Sequence, residues 1–152
     1  MTLTLRAATG ADEAFIHALV PRFVEHGAAD GHTDDEVIDG TRRVLSDALH
    51  AQRAGETILI AEDEHGEPAG FIYAVTHRDF FTDEPYAHIS EVAVTRSGAG
   101  VGAALIEAAE TWANERNYRF LSLNFVEGNA AQRLYERLGF APGHRHFVKR
   151  LR

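Results

Sequence analysis

The chain has 152 residues, 45% of them apolar and 25% charged, which suits one domain with a sizeable core over residues 1–152 and excludes a disordered chain. It has no cysteine; that removes disulfides, thiolate metal sites and a cysteine nucleophile, and makes the reducing cytoplasm the expected setting. Fifteen basic against 23 acidic side chains give a formal charge of −8, which argues against nucleic acid and anionic membrane as partners, and no apolar run reaches the ~18 residues of a membrane span.

Leu3 to Ala7 alternates and reads as a first strand. Thr9, three residues before Asp12, is an N-cap signal for a helix whose apolar positions run from Phe15 to Val24. Pro21 lies inside that pattern and predicts a kink or a split. Thr33 and Glu36 form a capping box for a second amphipathic helix, Val37 to Leu49, closed near Gly55. Thr57–Ala61 and Ala69–Thr76 flank the turn residues Asp63 to Pro68 and predict an antiparallel hairpin. His77 to Tyr86 reads as an irregular, aromatic and acidic loop, and Ala87 to Thr95 as the next strand. A glycine turn, Arg96 to Gly100, leads into a helix with Val101, Leu105, Ala108 and Trp112 on one face, ending near Asn117. Arg119–Val126 reads as a strand, Gly128-Asn129 opens a short helix stopped by Gly139, and His144–Leu151 reads as a last strand. The order β-α-α-β-β-β-α-β-α-β predicts an α/β fold with a mixed sheet, and not a doubly wound parallel one.

The strongest chemical signal is Gly98-Ala99-Gly100-Val101-Gly102, set between a strand and a helix. Alternate glycines let a ligand approach the backbone, and the helix start behind them supplies unpaired N–H groups and a positive dipole end. That combination suits a diphosphate. A P-loop would need a Gly-Lys-Ser/Thr ending, and a dinucleotide fingerprint would need Gly-x-Gly-x-x-Gly; neither spacing is present. The plain alternative is a tight strand-to-helix turn without a ligand. Among the nine histidines the tight pair is His144 and His146, with no acidic neighbour in sequence, so no metal site is expected. Arg145, Lys149, Arg150 and Arg152 form a basic end, read as a solvated strand or a surface for a second subunit.

At the glycine turn the sequence resembles the GNAT superfamily of acyl-CoA-dependent N-acetyltransferases, from Leu3 to Leu151. Two segments carry the resemblance: Val92 to Leu105, and Asn129-Ala130-Ala131-Gln132-Arg133-Leu134-Tyr135-Glu136-Arg137-Leu138-Gly139-Phe140. The turn departs from the superfamily pattern in a shorter lead-in, Thr95-Arg96-Ser97, with Ser97 where Arg or Gln is common. The resemblance implies a mixed, mostly antiparallel sheet flanked by helices and acetyl-CoA as co-substrate. It also implies an amine acceptor on a small molecule or peptide, attacking the thioester directly. Dimers are common in proteins of this kind, which adds a second copy to the expected partners.

The resemblance also assigns residues. The diphosphate falls to Arg96, Ser97, Gly98, Ala99, Gly100, Val101 and Gly102, and the pantetheine arm to Val92, Ala93 and Val94, with Asn129 also on that arm. Asn129 equally fits a plain helix cap. Tyr135 matches the general acid that protonates the leaving thiolate; packing is its other reading. Glu91 is the candidate base, since a half-buried carboxyl has a raised pKa. His88 is the alternative base, and Ser90 a residue to orient water. Strand alternation puts Glu91 alongside Ile89 and Ala93. The acceptor is expected near Phe23 to Val37 and the loop Asp79 to Tyr86, whose Phe80 and Phe81 would serve as aromatic walls or core anchors. A non-catalytic acyl-CoA sensor is the alternative function; a transferase acting on tRNA is disfavoured by the charge.

Overall fold

The computed structural model describes residues 2–126 and 128–152. Strand β1 (Thr4–Ala7) is followed by a 3-10 turn (Gly10–Asp12) and helix α1 (Glu13–Leu19). The chain then tightens into a second 3-10 turn, Val20–Val24, with Pro21 in its first positions. This is the expected split: proline lacks the donor that would carry α1 onward. Helix α2 (Asp34–Ala51) starts at the Thr33–Glu36 box, where the Thr33 hydroxyl accepts from the Glu36 N–H at 3.2 Å and the Glu36 carboxylate accepts from the Thr33 N–H at 2.8 Å. Strands β2 (Glu56–Glu62), β3 (Pro68–Arg78) and β4 (Pro85–Val94) form a meander, α3 (Val101–Glu115) crosses over, and β5 (Leu121–Leu123) and α4 (Gln132–Arg137) follow.

The sheet runs β1-β2-β3-β4-β5 in chain order, antiparallel except for the parallel pair β4 and β5. One face packs under α3 and α4, with Ile72, Leu105, Ile106 and Trp112 at its centre. The other packs under α1 and α2, with Ile16, Leu45, Ile60 and Phe71. At the first corner, both guanidinium ends of Arg6 donate to Asp12 at 2.8 Å, and Arg6 Nε sits 3.1 Å from Glu62. Asp12 is buried, and the bond from Arg6 holds its pKa below the usual carboxylate value.

Two sequence expectations need correction. The strand read over Arg119–Val126 pairs only at Leu121–Leu123, because β4 bulges opposite and leaves β5 without a partner beyond Leu123. The strand read over His144–Leu151 is absent; residues 140–152 carry no regular structure, and Phe147 and Leu151 are exposed. A three-residue edge offers too few ladder bonds, at about 1 kcal/mol each, to offset the ordering of eight more residues.

Gly70 shows how tightly α3 sits on β3. A Cβ there would lie 2.8 Å from the Ala93 carbonyl oxygen, 3.0 Å from Leu105 Cδ1 and 3.2 Å from Val101 Cγ1. Gly70→Ala is therefore expected to cost about 1–3 kcal/mol and to lower the melting midpoint by several degrees in a thermal scan. An unchanged midpoint would mean that helix and strand have room the packing does not show.

Candidate active site

The glycine turn is open, as a ligand site requires. Gly98 and Gly100 adopt φ of +83° and +79°, and a Cβ on either would meet nothing within 4 Å. Both need the left-handed backbone that other residues avoid. Gly102 has a different setting: a Cβ there would lie 3.4 Å from Leu134 Cδ2, where α4 packs against α3. The first helical bond of α3 runs from Ala104 N–H to Gly100 C=O at 3.1 Å. The amides of Val101, Gly102 and Ala103 precede it and are the orphan donors of the helix start. Arg96 and Ser97 are exposed beside them.

Behind the turn, β4 presents an unpaired edge. Pairing with β5 covers Ala87, His88 and Ile89 and ends there. The Thr95 N–H donates to the Ala69 carbonyl at 2.9 Å, toward β3. Successive strand residues turn their amides to opposite edges, so Val94 and Val92 face the β5 side, where no strand meets them. Val92, Ala93 and Val94 thus line a gap beyond the end of β5, suited to an extended, amide-bearing chain.

At the base of the gap the β3–β4 register slips. Tyr73 pairs with Glu91 and Ala74 with Ile89, leaving Ser90 as an extra residue. This bulge corrects the simple alternation. Ala87 and Ile89 pack on the α3 face, whereas Ala93 packs with Tyr73 and Phe71 on the α1/α2 face. Glu91 therefore shares its face with Ala93 and Tyr73, and not with Ile89. Burial pushes the Glu91 carboxyl up to about 7, with no cation offsetting it. Its neighbour Tyr73 is buried too, and burial next to Glu56 lifts its phenol well above the usual range, so it stays neutral.

His88 lies further down β4. Its Nδ1 is 2.7 Å from Ser122 Oγ, and its ring stacks on His77 with centroids 4.9 Å apart. Burial, with His77 nearby, lowers its pKa and keeps it neutral near pH 7. Ser122 is a partner that strand reading could not supply, because the parallel pairing of β4 and β5 decides it.

On the other face, Tyr135 is buried between the rings of Phe125 (5.5 Å) and Phe140 (6.3 Å). Burial raises its pKa, so it holds its proton across the working range. Its hydroxyl has no hydrogen-bond partner among the described residues. Asn129 Oδ1 accepts from the Ala131 N–H at 2.9 Å, a local turn two residues ahead of α4, whose N-cap is Ala131, so the plain helix cap expected at Asn129 is not formed; its side-chain NH2 remains for another partner.

The acceptor side is less concentrated than the sequence suggests. Phe23 packs edge-on against Phe71 at 6.3 Å. The irregular loop spans only residues 79–84, because β3 runs to Arg78 and β4 starts at Pro85. Phe80 and Phe81 are 93% and 85% exposed, so neither is a core anchor. Glu84 precedes Glu91 by seven residues of nearly continuous strand, which puts the loop roughly 20 Å from the carboxyl and outside the reach of a small acceptor bound there. Arg22 was invisible as a site residue in the sequence: its Nη2 donates to the Thr95 carbonyl at 2.6 Å across 73 residues.

A family model described as the acetyltransferase (GNAT) family matches residues 21–140, which spans the gap, the glycine turn and α4. The chain belongs to the GNAT acetyltransferase family. Members of this family use acetyl-CoA, and the turn and gap of this GNAT protein fit that co-substrate. A putative acetyl transferase from Pyrococcus furiosus is similar at 21% identity and TM-score 0.78, over 99% of this chain and 100% of that one. A GCN5-related N-acetyltransferase from Ralstonia eutropha JMP134 is 20% identical at TM-score 0.78, over 97% and 98% of the two chains. AAC(6')-Iy, solved with the bisubstrate analogue CoA-S-monomethyl-acetylneamine, is 20% identical at TM-score 0.71, over 100% and 99%. At these identities the likeness is one of fold. A search of curated proteins finds no match to the chain.

Proposed function

We propose that this GNAT protein works in the cytoplasm and moves an acetyl group from acetyl-CoA to a primary amine of a small molecule or peptide, by direct attack in a ternary complex. The observation that carries the reading is the unpaired edge of β4, which runs from the open glycine turn to a carboxyl poised near neutrality. The amides at residues 98–102 hold the diphosphate, and the Val92 and Val94 amides hold the pantetheine arm. Glu91, ionised above about 7, takes a proton from the acceptor ammonium. The free amine forms the N–C bond, the C–S bond breaks, Tyr135 delivers a proton to the departing sulfur, and the proton that the new amide nitrogen sheds returns through solvent to the Tyr135 phenolate. Holding both substrates at once replaces the cysteinyl intermediate that this chain cannot form. A second copy is part of the proposed assembly, with the basic end at Arg145 to Arg152 as the surface for it.

The test is thiol release from acetyl-CoA across an amine panel, with mass spectrometry of the products. Release with an acetylated amine supports the transferase. CoA binding with no release over any amine supports the sensor and removes the catalytic reading.

Tyr135→Phe keeps the ring packing on Phe125 and Phe140 and deletes only the hydroxyl. Turnover should fall about 100-fold, with the melting midpoint nearly unchanged because no hydrogen bond to the described residues is lost. Turnover equal to wild type would leave Tyr135 as a packing residue.

A further inference from the structure

Arg22 is placed with unusual care for an exposed guanidinium. Its 3-10 turn is pinned by Val20, which is fully buried, and by the edge-on contact of Phe23 with Phe71. From there Arg22 Nη2 reaches the Thr95 carbonyl at 2.6 Å. Thr95 is the last fastened residue before the glycine turn: its N–H and its hydroxyl both donate to the Ala69 carbonyl, at 2.9 and 3.2 Å. Arg22 adds a third bond, to the Thr95 carbonyl. The residues after it, Arg96 to Gly100, leave the sheet and form the open cradle.

A guanidinium has five N–H donors in a planar fork. Only the Nη2 bond to Thr95 is made among the described residues, and no carboxylate among them pairs with Arg22. Two residues, Arg96 and Ser97, lie between Thr95 and Gly98, so the carbonyl that holds the charge is within about 10 Å of the cradle. That is about one Debye length at moderate salt, close enough to attract a multiply charged anion. The chain carries a net −8, so a fixed cation at this spot counters repulsion where the ligand is most negative.

We propose that Arg22 is a cofactor-positioning residue: it latches Thr95 to fix the lead-in of the glycine turn, and it supplies positive charge to the diphosphate of CoA. The inference rests on the CoA-binding reading above and extends it to a residue from the first helical segment.

The experiment is calorimetric titration of CoA into wild type, Arg22→Ala and Arg22→Lys at low and at high sodium chloride, beside thermal scans of all three. Arg22→Ala should bind CoA about 10-fold more weakly at low salt, with a gap that narrows at high salt. Arg22→Lys should keep most of the affinity, because it retains charge and a donor. Melting midpoints should agree within a few degrees. Equal affinity in wild type and Arg22→Ala overturns the assignment, and so does a loss that ignores salt and is shared by Arg22→Lys, since that marks packing alone. Wild-type protein that takes up no CoA overturns the binding reading itself, a result distinct from either.

Discussion

Glu91→Gln is expected to lower turnover by about 100-fold or more and, above neutral pH, to make the protein more stable. Both follow from one fact: burial pushes the Glu91 carboxyl up to about 7. In wild type the rate should climb as pH rises through about 7, because only the ionised carboxylate accepts the amine's proton. The variant should lose that limb. For stability the sign is opposite. Below the unfolded pKa, near ~4.3, both states are protonated and the group costs nothing. Between there and about 7 the unfolded chain has released the proton while the folded chain keeps it, so wild-type stability falls as pH rises. Above that range the folded protein carries a largely desolvated charge at a cost on the order of 3–4 kcal/mol. Gln avoids it. Rate–pH profiles and melting midpoints at pH 5 and pH 8.5 check the pair. A profile that keeps its limb in Glu91→Gln passes the base role to His88 or to water.

Gly100→Val should abolish productive CoA binding, with a loss of at least ~100-fold in affinity, or about 3 kcal/mol. Gly100 sits at φ +79° immediately before α3, a conformation that a β-branched residue resists. Forcing it away turns the amides of Val101 and Gly102 out of the cradle. A control separates this from backbone strain in general. Gly66, in the β2–β3 turn, has φ +77° and equally open surroundings. Gly66→Val should cost similar stability, a few kcal/mol at most, and leave CoA affinity intact. If both variants bind alike, the cradle is not where the diphosphate sits.

The resemblance and the glycine spacing made the turn legible, because Gly98 and Gly100 announce a backbone conformation that few other residues adopt. Pro21 announced the broken first helix, and Thr33 with Glu36 the start of α2, since each acts through its own local chemistry. What failed to show was decided between strands. The bulge at Ser90 leaves no mark in composition, yet it turns Glu91 onto the α1/α2 face, opposite to Ile89. The alternation of His144 to Leu151 looked like a strand, but a strand needs an edge, and β5 offers three residues. Arg22 reaches Thr95 across 73 residues, a distance at which no sequence spacing carries information.

If residues 98–102 hold the diphosphate as proposed, that group anchors the co-substrate more than the pantetheine arm does. Calorimetric titration of wild type with CoA and, separately, with pantetheine tests it directly. CoA should bind saturably at one site per chain, and pantetheine at least ~100-fold more weakly. Equal affinity for the two, or no heat from CoA, would contradict it.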